Sequence, residues 1–198
     1  MGFLIDTIPK INTHTADLDA HTKNIMEVMM TTHYLMPFPL SAANKVLTAD
    51  RLYACPLVIA RDVTIDKIAI QVVSAGAAGT KARLGLYQMT GNWAPGALVA
   101  DYGTVDVDST GGKAITIDPA VSLSKGAYFT ALVTDGTPTI YKGILSWTPL
   151  GMTTGSFGSR YAQYYRAFTY DALPDPWGTA DASEGDLLLV LLNIASLA

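Results

Sequence analysis

The sequence predicts a mainly β protein, an antiparallel β-sandwich preceded by a short N-terminal α-helix. Three observations predict it. Short apolar runs, several of strict period two, recur from residue 51 to the C-terminus. Clusters of Gly, Pro, Asp and Ser separate them. No long helical pattern interrupts them, which disfavours a parallel βαβ sheet. With 198 residues, the chain is long enough for one sizeable core with an appendage. It divides into a helical, anchoring segment at 1–35 and a β-sandwich head at 36–198.

The N-terminal segment differs from the rest. It holds all three histidines (His14, His21 and His33) and has neither Gly nor Pro from Asn12 to Met30. Its Ala, Leu, Lys, Met and Glu residues suit a helix. Thr13 or Thr15 serves as N-cap, and Asp17 and Asp19 sit near the positive end of the helix dipole. Alternating steps of three and four give a heptad seam through Ile11, His14, Leu18, His21, Ile25 and Val28, apolar at one core position and mostly polar at the other. Two readings stay open: a seam for identical helices, or an amphipathic helix lying on its own domain. A helix this short is marginal alone in water, which favours self-association. His14 and His21 are spaced to share a face, but the reading is seam histidines and no metal. Pro37 and Pro39, in "YLMPFPLSA", end the helix and set a stiff connector.

The strands follow in order. "RLYACPLVIA" is a strand whose Pro56 argues for an edge or a bulge. "VTIDKIAIQV" alternates, but its parity slips by one between Ile65 and Ile68, as a bulge at Asp66-Lys67 would produce. "SAGAAGT" is a loop of small residues. "KARLGLYQM" places Ala82, Leu84 and Leu86 on one face and Arg83, Gly85 and Tyr87 on the other. "GNWAPG" is a turn, "ALVADYGTVDV" a strand, "DSTGG" a turn, "KAITI" a strand and "DPAVSLSKG" a connection. "AYFTALVT" and "GDLLLVLLNIA" complete the set.

Composition narrows the function. Charged residues are only 15% and hydrophobic ones 49%. That excludes a disordered chain and suggests apolar surface covered by partners. Net charge is −4 with no basic stripe, so nucleic acid is not an expected partner. Cys55, the sole cysteine, forms no intrachain disulfide. In an apolar run it reads as a buried thiol, since a nucleophile needs a base and an electropositive setting. No run reaches the roughly 18 apolar residues of a membrane helix, so no membrane insertion is expected. The N-terminus shows neither a signal-peptide nor a myristoylation pattern.

Three stretches carry a resemblance: "VTIDKIAIQVVSAGAAGTKARLGLY", "PGALVADYGTVDVDSTGGKAITI" and "LSKGAYFTALV". An "I-x-x-I-x-I-x-V" strand, a Gly/Ala loop, an "R-L-G-L-Y" strand, a "P-G" turn and Gly126, Tyr128 and Phe129 follow one another. This succession, over roughly residues 52 to 135, resembles a β-sandwich module of tail fibres and other virion proteins of tailed bacteriophages. The resemblance implies a jelly-roll-like sandwich, a homotrimer and a place on the virion, after synthesis in the host cytoplasm. It implies no catalytic residues. It also fits an N-terminal segment that docks on other virion proteins while the head points outward.

The chemical inventory agrees with a protein that is not an enzyme and needs no cofactor. The histidines lie away from most carboxylates and from Cys55. "GMTTGSFGS" lacks the strand-turn-helix setting of a nucleophile elbow. Asp106 and Asp108 share a strand face, and Asp171 pairs with Asp175. A calcium site at Asp106 and Asp108 is weaker than a solvated strand end. The aromatic-rich segment 141–178 is either core and inter-subunit packing or a platform for sugar rings. In the second reading Trp147, Tyr164, Tyr165, Arg166 and Trp177 contact ligand, joined by Trp93 at a turn tip. The expectation is therefore a trimeric fibre or spike contacting host cell-surface polysaccharide. The alternative is a head fibre, decoration or adaptor protein whose role is purely structural.

Overall fold

The computed structural model describes residues 34–35, 41–144, 152–153, 156–160 and 162–197, with side chains described for 43–143 and 162–197. The predicted N-terminal helix lies outside the described residues. So do the seam candidates Ile11, His14, Leu18, His21, Ile25 and Val28, and the ligand candidate Trp147. The described residues form no helix. Their strands are β1 (Tyr34–Leu35), β2 (Ser41–Val46), β3 (Arg51–Ile59), β4 (Val63–Ser74) and β5 (Lys81–Met89). Then come β6 (Pro95–Asp106), β7 (Gly111–Leu123), β8 (Gly126–Thr134), β9 (Thr139–Ile144) and the short β10 (Met152–Thr153). The last five are β11 (Ser156–Arg160), β12 (Gln163–Ala167), β13 (Ala182–Glu184), β14 (Leu187–Leu188) and β15 (Val190–Leu197).

Two antiparallel sheets carry the fold. The first is built on β4, flanked by β7 on one side and by β15 and then β9 on the other, with β1, β2 and β14 at its margins. The second runs β13-β12-β3-β8-β5-β6. Alternation explains how they face each other. Val63, Ile65, Ile68, Ile70 and Val72 of β4 meet Tyr53, Leu57, Leu84, Leu86 and Leu132 of the second sheet in one buried cluster. Each such side chain removed from water contributes about 1.5–3 kcal/mol.

The anticipated bulge is present. Ile65 pairs with Val121 and Ile194 while Lys67 pairs with Thr116 and Asn193, leaving Asp66 as the extra residue. Opposite it, residues 117–120 make a wider excursion, so "DPAVSLSKG", read as a connection, is mostly the second half of β7. The pattern failed there because the bulge destroys period two.

Pro56 lies in a strand flanked on both sides. β12 pairs only with residues 51–54, so Pro56 falls past the end of that neighbour, where a missing N–H costs nothing to the ladder. The C-terminal apolar run changes partner at Leu189. Leu187 and Leu188 pair with β9, whereas Val190 onward pairs with β4. Strands β2, β9 and β12 went unrecognised, since "SAANKV" and "TIYKGI" are short and "QYYRA" is hidden among aromatics.

The second sheet has a further core on its outer side. Leu52, Ala54, Tyr87, Phe129, Ala131 and Val133 are buried there beneath Leu173 and Trp177, which come from the strap of residues 168–181. This explains why Gly85 and Tyr87 of "KARLGLYQM" are buried as well as Leu84 and Leu86.

Candidate binding surface

The strap follows β12 and crosses the outer face of the second sheet before β13. Aspartates peg it by accepting backbone N–H groups. Asp50 takes Tyr170 at 2.8 Å, Asp101 takes Leu173 at 2.9 Å, and Asp181 takes Ala167 at 2.6 Å. Asp175, within the strap, reaches back to the N–H of Leu98 at 2.9 Å. Tyr87 donates its hydroxyl to the Pro174 carbonyl at 2.7 Å, and the Trp177 N–H donates to Gly96 at 2.9 Å. Trp177 stands edge-on to Tyr87, ring centroids 5.2 Å apart. Gly85 makes room for Leu173, since a Cβ there would lie 2.2 Å from the leucine Cδ1 and 2.7 Å from the Ala100 carbonyl oxygen. Burial pushes the Tyr87 hydroxyl well above its ordinary value of 10.0.

The structure places the described candidates for a sugar platform as follows. Trp177 is 0% exposed, so its ring has no face to offer a ligand. Tyr164 and Tyr165 are neighbours on a strand and point to opposite sides of the sheet. Tyr164 packs against Phe129 on the strap side, 5.9 Å between centroids. Tyr165 lies toward Tyr53 on the core side, with the Arg51 guanidinium 4.4 Å over its ring. Arg166 is occupied structurally, donating to the Trp177 carbonyl and covering the Phe168 ring. Trp177 is packed inside the molecule, and Tyr164 and Tyr165 lie on opposite faces of the sheet.

Trp93 is different. It is 59% exposed at the tip between β5 and β6. Its backbone is left-handed, φ 59°, a rare state for a bulky side chain that costs about 1–2 kcal/mol. Thr90 holds it there. Its carbonyl accepts the Trp93 N–H at 3.0 Å, its N–H donates to the Ala94 carbonyl at 2.8 Å, and its hydroxyl accepts the Ala94 N–H at 3.2 Å. The same end of the sheet carries the strap residues Asp175, Pro176 and Gly178, all exposed.

Several other polar groups are tied into structure. Cys55 donates to the buried Gln163 Oε1 at 3.1 Å, which also accepts the Leu188 N–H at 2.9 Å. Burial pushes the thiol up to about 12, so it is no thiolate nucleophile. Gln163 donates to Glu184, and Lys45 bridges Glu184 at 2.8 Å and Asp186 at 2.7 Å. Lys142 also pairs with Asp186. This node clamps β2 and β9 of the first sheet to β3, β12 and β13 of the second. Asp106 pairs with Lys81 in the open, and Asp108 accepts the Gly79 N–H at 3.1 Å. Asp171 accepts the N–H of its neighbour Ala172. Among the described residues no group of three metal-ligating side chains converges.

Sequence reasoning did not find the pegging aspartates. Their signal was present in turn-type contexts such as "TADR", "ADYG" and "PDPWG", where Asp accepts backbone N–H groups. Comparison with known proteins adds no constraint: no family model and no curated protein matches the sequence.

Proposed function

We propose that this chain is a structural protein of a tailed-bacteriophage virion: a trimeric fibre or spike with a jelly-roll-like head, contacting host surface glycans. Its N-terminal helical segment self-associates and docks on other virion proteins. It is not an enzyme and works without a cofactor or metal. The function is multivalent contact, in which a weak single site repeated on identical heads gains through effective concentration.

The observation that carries the reading is Trp93. A large aromatic ring stands in solvent on a strained turn that Thr90 holds in place. An indole face of that kind stacks on the apolar face of a saccharide. The test is an array of host polysaccharides probed with the full chain and with Trp93→Gly, which keeps the left-handed turn and removes the ring. Binding by the wild type that drops at least about tenfold in the variant, with a thermal midpoint no lower than that of the wild type, supports the reading. Wild-type binding unaffected by the variant overturns it.

The burial of Trp177 and the divergence of Tyr164 and Tyr165 favour a second reading, a decoration or adaptor protein with no receptor site. A blank array, with the protein located on particles by labelled electron microscopy, selects it.

A further inference from the structure

We propose that the ligand of the Trp93 turn is an uncharged, methyl-bearing saccharide, a 6-deoxyhexose chain, lying along an apolar ledge that ends at that turn. The proposal rests on the receptor reading above and assigns the sugar class that reading leaves open.

The ledge follows from register. Val58 keeps the parity of Leu52 and Ala54, Ala127 that of Phe129 and Ala131, and Met89 that of Tyr87. All three therefore face the outer side of the second sheet. Val58 pairs with Ala127, and the pairing of Gln88 with Tyr128 puts Met89 on the other side of Ala127. Met89 in turn pairs with Pro95, and the turn that carries Trp93 joins those two residues. The row crosses four strands about 4.8 Å apart, so it runs roughly 14 Å.

The strap stops short of this row. It lies over the next one inward, formed by Pro56, Phe129, Tyr87 and Leu98. There Phe129 and Tyr87 are fully buried, Trp177 stands against Tyr87, and Asp175 holds the Leu98 N–H. Along the ledge, by contrast, Val58 is 52% exposed, and Ala127 and Met89 are half-buried. The strap thus borders one flank of the ledge, and the exposed Trp93 stands at one end.

The chemistry of these borders selects the occupant. Neither the ledge nor residues 88–96 carry a charge. Among the described residues around this end of the sheet, Arg61 and Lys125 are matched in number by Asp62 and Asp175. Asp62 also accepts the Lys125 backbone N–H at 2.7 Å. An acidic sugar meets no surplus of cations here, and a neutral one needs none. Asn92 of the turn and Asp175 of the strap, both exposed, offer an amide and a carboxylate to sugar hydroxyls. The indole takes the apolar face of a pyranose. A hydroxymethyl arm laid over Val58 and Met89 gives up its water for no partner, whereas a methyl group gains about fourfold in affinity from the same burial.

The experiment is an array of matched oligosaccharides: 6-deoxyhexoses, and the hexoses and uronates of the same configuration and linkage. It is probed with the full chain and with Trp93→Gly, Val58→Thr and Met89→Gln. Val58→Thr keeps a β-branched shape at an exposed strand position, so it carries the test if Met89→Gln does not fold. The expected result is wild-type binding at least about fivefold tighter to the 6-deoxyhexoses than to either partner series. Trp93→Gly should lose that binding, and Val58→Thr should lower the preference for the methyl group at least about twofold. Trp93-dependent binding that does not distinguish the three series overturns the sugar class and leaves the receptor reading standing. So does a preference unchanged in every folded ledge variant. A blank array, or binding indifferent to Trp93→Gly, overturns the receptor reading and this proposal with it.

Discussion

Replacing Trp177 by alanine tests whether the strap is held mainly by its buried side chains. A tryptophan side chain buries about 150–250 Å², and at about 25 cal/mol per Å² its removal costs about 4–6 kcal/mol. The edge-on contact with Tyr87, at 5.2 Å, adds about 0.5–1.5 kcal/mol. Against this, the Trp177 indole N–H is buried without a hydrogen-bond partner. Deleting it returns about 1–3 kcal/mol. The net expectation is a loss of about 3–5 kcal/mol, taken by the strap first because aspartate pegs tie its two ends independently. Trp177→Phe keeps most of the ring and sheds the unpaired donor, so it stays within about 1 kcal/mol of wild type. Urea unfolding followed by circular dichroism gives the stabilities, and limited proteolysis reads opening within 168–181. A Trp177→Ala loss below about 1 kcal/mol, or a Phe variant as weak as the Ala variant, refutes the reasoning.

The charged node and the thiol give two further predictions. Burial raises Asp186, but hydrogen bonds from Lys142 and Lys45 outweigh it and hold the carboxyl below its ordinary 3.8. Its contribution to stability is therefore present above about pH 3.8 and fades as pH falls through the lower folded value. Asp186→Asn should lower the urea midpoint at neutral pH and converge with wild type in acid; parallel curves at all pH values would rule out the linkage. For Cys55, burial to about 12 predicts that a thiol reagent at about pH 8 leaves the folded protein unmodified and labels it in denaturant. Stoichiometric labelling of the folded chain would show that the thiol is not sealed.

Much of the architecture was legible because it rests on local pattern. The parity slip at Ile65 and Ile68 located the Asp66 bulge from sequence alone. The opposed faces of "KARLGLYQM" were assigned correctly, Leu84 and Leu86 to one core cluster and Tyr87 to the other. Legibility ended where a residue's surroundings come from distant chain. The sequence leaves Trp177 open between packing and a ligand surface, because only Pro, Asp and Gly stand beside it. It is buried because Tyr87, 90 positions earlier, lies under it. Tyr164 and Tyr165 look like a pair in sequence and are separated by the sheet itself, which only the recognition of β12 as a strand reveals. Trp93 was legible for a local reason: a tight turn at a hairpin tip has no chain above it to bury a ring.

The two sheets handle their outer faces in opposite ways, and this difference connects fold to use. Each sheet buries one face in the shared core, and each carries apolar residues on the other. On the second sheet the chain folds back and seals Tyr87 and Phe129 beneath Leu173 and Trp177, at the entropic cost of ordering the strap at 168–181. On the first sheet the outer face closes by ordinary alternation instead: Lys67 and Gln71 flank the small Ala69 along β4, and Thr116 and Asn193 stand beside Lys67 on the neighbouring strands. The strap also reaches the end of the second sheet where Trp93 stands, since the backbone N–H of Trp177 donates to Gly96 beside that turn. The same segment that seals the outer core therefore steadies the hairpin that holds the exposed ring.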